Sequence, residues 1–84
     1  MLITEDEIRK AVSRAFEGAE TQLKRESSHR IWGYIIWGGF ENLAPEERYR
    51  EVDAKVRTPL GLRVANLGVL IPLTQKEARK GLVG

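Results

Sequence analysis

The sequence predicts a small α+β domain with the element order α-β-β-α-β-α. It reads as a three-stranded mixed sheet of strand order 1-2-3, with two main helices on one face. Three observations carry this reading. Residues 31–37 are a run of β-branched and aromatic side chains broken only by Gly33, which suits a strand buried on both sides. Gly38-Gly39 then ends the run, and Pro45 with Glu46 and Glu47 gives a helix start, because proline presets φ and the dipole favours acid in the first turn. Finally, Thr4 with Glu7 and Thr74 with Glu77 are two capping-box patterns, each marking a helix near one end of the chain.

The first helix begins at Thr4 and carries Ile8, Ala11, Val12, Ala15 and Phe16 as one apolar stripe, with Arg9, Lys10 and Arg14 off it and Gly18 as its stop. Residues 20–25 alternate Thr21, Leu23 and Arg25 against Glu20, Gln22 and Lys24, a polar pattern that belongs at a sheet edge. The polar residues Glu26, Ser27, Ser28 and His29 make a turn, so this edge strand and the apolar strand after it form an antiparallel hairpin. Alternation in the apolar strand puts Ile31, Gly33, Ile35 and Trp37 on one face and Trp32, Tyr34 and Ile36 on the other.

The second helix shows Tyr49, Val52 and Val56 as its inner stripe and should stop at Thr58-Pro59, since a residue before proline is pushed out of the α region. Leu60, Gly61 and Leu62 then link to a third strand over residues 64–73, which a helical crossover makes parallel to the second. A short last helix runs from Thr74 to Lys80. The expected core is Ile8, Val12, Phe16, Ile35, Val52, Val56 and Val69.

With 84 residues, the chain reads as a single domain over positions 1–84, enough for one modest core. The absence of cysteine excludes disulfides, thiolate nucleophiles and thiolate-bound metal from this chain, and a lone histidine makes no cluster, so no cofactor and no metal site is expected. The acidic start is unlike a signal peptide and no apolar run approaches membrane-spanning length, so the expectation is a cytoplasmic protein with no membrane partner. A net charge of +2 is too small for bulk attraction to nucleic acid. Glu46 and Glu47 are adjacent on a helix and do not face one another, no Ser, His and acid set has triad spacing, and Gly38-Gly39 lacks the spacing of a phosphate loop. The chain is therefore expected to be no enzyme.

Two kinds of binding surface remain. Trp32, Tyr34 and Ile36 form a row on the second sheet face, a patch suited to a protein partner or to a symmetric dimer, together with the free edge of the third strand. Lys24, Arg25, His29 and Arg30 in the hairpin, with Arg48 and Arg50 on the second helix, form a possible phosphate-contacting set, among which Glu20, Glu26, Glu46, Glu47 and Glu51 are interspersed.

The element order, with Ser28-His29 before the central strand, residues 40–43 (Phe-Glu-Asn-Leu) after it, residues 47–50 (Glu-Arg-Tyr-Arg) in the second helix and Thr74-x-x-Glu77 after the third strand, resembles the BolA family over nearly the whole chain. That family has a fold like a type II KH domain. The resemblance implies a nucleic-acid-binding regulator, or a partner of monothiol glutaredoxins in iron–sulfur cluster handling, for which His29 would match a loop ligand. Tyr49 stands where the family typically has a histidine, and residues 69–73 contain none. The reading that results is a non-enzymatic, BolA-like regulatory or adaptor domain acting through protein contacts, with nucleic-acid binding through the basic hairpin and second helix as the alternative.

Overall fold

The computed structural model describes residues 3–27 and 30–82; His29 and the hairpin turn around it lie outside the described residues. Helix α1 (Glu5–Ala15) starts at the capping box that Thr4 and Glu7 foretell. The Thr4 hydroxyl accepts from the Glu7 amide at 3.3 Å, and the Glu7 carboxylate accepts from the Thr4 amide at 3.1 Å, so first-turn donors have partners. Strands β1 (Glu20–Ser27) and β2 (Arg30–Ile36) pair antiparallel, and β3 (Leu67–Leu73) runs parallel to β2, giving the order β1-β2-β3. Helix α4 (Gln75–Leu82) follows β3 directly.

The connection from β2 to β3 departs from expectation in three places. Helix α2 (Pro45–Val52) does not stop at Thr58-Pro59 but continues through a π-helical turn (Asp53–Arg57) into α3 (Thr58–Leu60). The Thr58 amide reaches five residues back to the Asp53 carbonyl. Proline supplies no N–H and its ring crowds the carbonyl four residues back, and the wider π turn accommodates both defects without breaking the rod. Gly61, with φ of +65°, ends it instead.

Second, residues expected to open the third strand form a 3₁₀ segment (Gly61–Asn66), so the strand begins only at Leu67. Asn66 is buried, and its side chain accepts from the Ile3 amide at 3.0 Å and donates to the Ile3 carbonyl at 3.3 Å. It binds the N-terminal segment as a neighbouring strand would. Third, Val69 is not in the core but 48% exposed. The β2–β3 register shifts between Ile31 and Gly33, so that Trp32 alone opposes Gly68 and Val69. This bulge reverses the inside-outside parity of β3, placing Leu67 and Leu70 in the core and Val69 outside. Gly68 fits closely there: a Cβ would come within 3.2 Å of Trp32 Cβ and 3.3 Å of the Ile31 carbonyl, so those neighbours would have to give by a few tenths of an ångström.

The core lies between the helices and one sheet face. Ile8, Val12, Phe16, Ile35, Val52 and Val56 pack there as expected, joined by Ile3, Ile31, Phe40, Leu67 and Leu70. Phe40 comes from a 3₁₀ turn (Gly38–Phe40) and meets Phe16 and Trp37 at centroid separations of 5.2 Å, while the Trp37 indole N–H donates to the Glu17 carbonyl at 2.9 Å. Among the described residues no helix is long and apolar enough to cross a membrane.

Candidate functional site

Side chains alternate across a sheet, so the face turned away from α1 and α2 is set by register. From β2 it receives Trp32, Tyr34 and Ile36; from β3, Ile71 opposite Tyr34 and Leu73 opposite Ile36; from β1, Lys24 opposite Trp32, Gln22 opposite Tyr34 and Glu20 opposite Ile36. Trp32 and Tyr34 stack edge to face with centroids 5.5 Å apart. Both are half-buried, as are Ile71 and Leu73, whereas Val69 beside them is exposed. A cleft of about 490 Å³ opens next to the indole, lined by Glu26, Arg30, Trp32 and Val69.

The row of three expected on this face is thus interrupted. Ile36 is only 5% exposed and is not part of a surface patch. Ile36 and Ala78 of α4 are both buried outside the main core, and α4 packs on β3 at this end of the sheet. The Ile36 end of the face is thus buried, while the end around Trp32, Tyr34 and Val69 keeps accessible surface.

The described basic residues are divided between the hairpin and α2, and between the two sides of the sheet. Lys24 is on the open face, and Arg25 points to the helix side, where it meets Glu5 at 3.5 Å. Arg30 meets Glu26 at 3.5 Å, and Arg50 is exposed on α2. Arg48 is inside the protein, 7% exposed, and so is no surface cation. Its Nε donates to the Leu43 carbonyl at 2.9 Å, and one terminal nitrogen lies 3.4 Å from the Pro72 carbonyl and 2.6 Å from the Glu77 carboxylate. Burying a guanidinium is tolerated because acceptors surround it.

Glu77 does double duty. Its carboxylate also accepts from the Thr74 amide at 2.8 Å, completing the capping box of α4. The Arg48 hydrogen bond first, and the Thr74 amide next, lower its pKa from 4.5 to about 2. A carboxyl held ionised in this way is a clamp between α2, the end of β3 and α4, and is unsuited to giving or taking a proton near neutrality. The capping pattern was legible in the sequence; that Arg48 would reach it from 29 residues away was not.

The outer edge of β3 is in part taken up as well. Arg57, from the π-helical turn, donates to the Gly68 carbonyl at 2.9 Å and the Leu67 carbonyl at 3.2 Å. Arg48 takes the Pro72 carbonyl, and Pro72 itself has no N–H to offer. An edge expected to be free for a partner thus has the Leu67, Gly68 and Pro72 carbonyls taken by two arginines of one helical rod. Among the described residues no group of three His, Cys, Asp or Glu is placed to hold a metal ion. No known family model matches the sequence, and no curated protein matches it.

Proposed function

We propose that this is a non-enzymatic, BolA-like adaptor domain that binds a protein partner on the open half of its sheet face, through Trp32, Tyr34 and Val69. The observation that carries the reading is the half-buried aromatic pair beside an exposed valine and a cleft, on a face whose opposite end, at Ile36, is buried. Aromatic side chains of this kind anchor interfaces because they bury much area at little cost in side-chain freedom. The element order and the Thr74-x-x-Glu77 and Glu47-Arg48-Tyr49-Arg50 stretches support the family likeness.

Nucleic-acid binding is the weaker reading. Of its cations, Arg25 and Arg30 each face a carboxylate at 3.5 Å and Arg48 is buried, which leaves Lys24 and Arg50 on different elements. The test is titration with a monothiol glutaredoxin, the partner class that the resemblance implies, beside titration with generic single-stranded RNA. Protein binding that persists at high salt and is lost in Trp32→Glu, with the unfolding midpoint held, is the expected outcome. RNA binding whose log affinity falls linearly with log salt, without any protein binding, would replace this reading by the other.

A further inference from the structure

The two edges of the sheet are built differently. That of β3 is bulged, contains Pro72 and has carbonyls taken by Arg48 and Arg57. That of β1 is regular from Glu20 to Lys24, where each residue opposes one residue of β2 without interruption and no proline intervenes. Edge strands that lack such obstacles are templates for a further strand.

From this contrast we infer that β1 pairs antiparallel with β1 of a second copy of this chain, in the register centred on Gln22. The backbone has the right orientation. A Cβ on Gly33 would collide with the Gln22 carbonyl oxygen, so that carbonyl points across to β2, and by alternation the N–H and C=O groups of Thr21 and Leu23 point to the outer edge. A two-fold axis through Gln22 sets Thr21 opposite Leu23 of the other copy, and each such pair exchanges two backbone hydrogen bonds.

Charge selects the register. Centring on Gln22 sets Glu20 opposite Lys24 of the second copy, and the two-fold repeats that opposite-charge pair on the other side. Centring on Leu23 would set Glu20 against Glu26, and centring on Lys24 would set Lys24 against itself, both like-charge contacts. Lys24, which discourages pairing with an unrelated strand, is thus matched in a self-pairing. The product is a six-stranded sheet, β3-β2-β1-β1-β2-β3, with both Trp32–Tyr34 pairs on one continuous face. The inference concerns a surface separate from the adaptor face and stands or falls independently of it.

The test is sedimentation equilibrium of the whole chain in a charge-exchange cycle. Glu20 and Lys24 are both exposed, so their substitution leaves the core untouched. The wild type should dimerise at micromolar concentration. Glu20→Lys and Lys24→Glu should each weaken the dimer about tenfold, since each turns two attractive cross-strand pairs into repulsive ones, and the double variant should recover it. A monomeric wild type overturns the inference, as does a dimer indifferent to both single exchanges, or one that the double variant fails to restore. A dimer abolished by Trp32→Glu but unmoved by the charge exchanges assigns association to the open face and overturns it too.

Discussion

The two faces of the central strand are nearly alike in composition and opposite in circumstance. Ile31 and Ile35 are fully buried under α1 and α2, whereas Trp32 and Tyr34, which alternate with them, stay half-covered although they are larger. Hydrophobicity alone therefore does not decide burial in this strand; the elements that pack against each face do. Phe16, Val12 and Val52 cover one side, while on the other, among the described residues, Ile36 is buried and Trp32 and Tyr34 are not. That half-covered pair is the surface on which the proposed partner contact rests.

The largest expected effect is on the covered face. Ile35→Ala should cost about 2–5 kcal/mol in denaturant unfolding, because deleting a fully buried branched side chain loses transfer energy and leaves a cavity. A loss no greater than that of a surface change would reverse the assignment of the two faces. Next comes the clamp that ties α2 to the end of β3 and to α4. Arg48→Met should cost roughly 1–3 kcal/mol, since the Pro72 and Leu43 carbonyls lose their charged donor while the volume is largely kept. Hydrogen exchange in α4 should rise in that variant more than in α1, because only α4 is tied through Glu77.

The same clamp predicts a pH dependence. The folded-state pKa of Glu77, lowered to about 2, lies below its ordinary value of 4.5, so the stability it contributes is fully present above pH 4.5 and is lost as the pH falls toward 2. Glu77→Gln should flatten that part of the acid unfolding profile and leave the neutral region with the same slope. The Glu77 side chain is 45% exposed, so solvent screening keeps the effect below that of the core change. The smallest effect belongs to the open face: Val69→Thr should change stability by less than about 0.5 kcal/mol, as surface substitutions do, while weakening partner binding. A core-sized loss would mean that the bulge does not turn Val69 outward.

By itself the sequence determined the class, order and pairing of the elements. Capping boxes at Thr4 and Thr74, the preset turn at Pro45, and the alternation of β2 are local signals, each acting within a few residues, and all agree with the structure. It also marked Trp32 and Tyr34 as one row on the sheet. What it left open are the places where a distant group or a backbone irregularity overrides local preference. Pro59 reads as a helix stop until a π turn absorbs it, and Val69 reads as core until one extra residue opposite Trp32 reverses the parity of β3. Ile36 reads as exposed but is buried by the fold, and Arg48 reads as a surface cation until folding brings Leu43, Pro72 and Glu77 around it. Periodicity names which side chains share a face; only tertiary packing decides what covers that face and which polar groups find partners across the fold, because both depend on residues far apart in the chain.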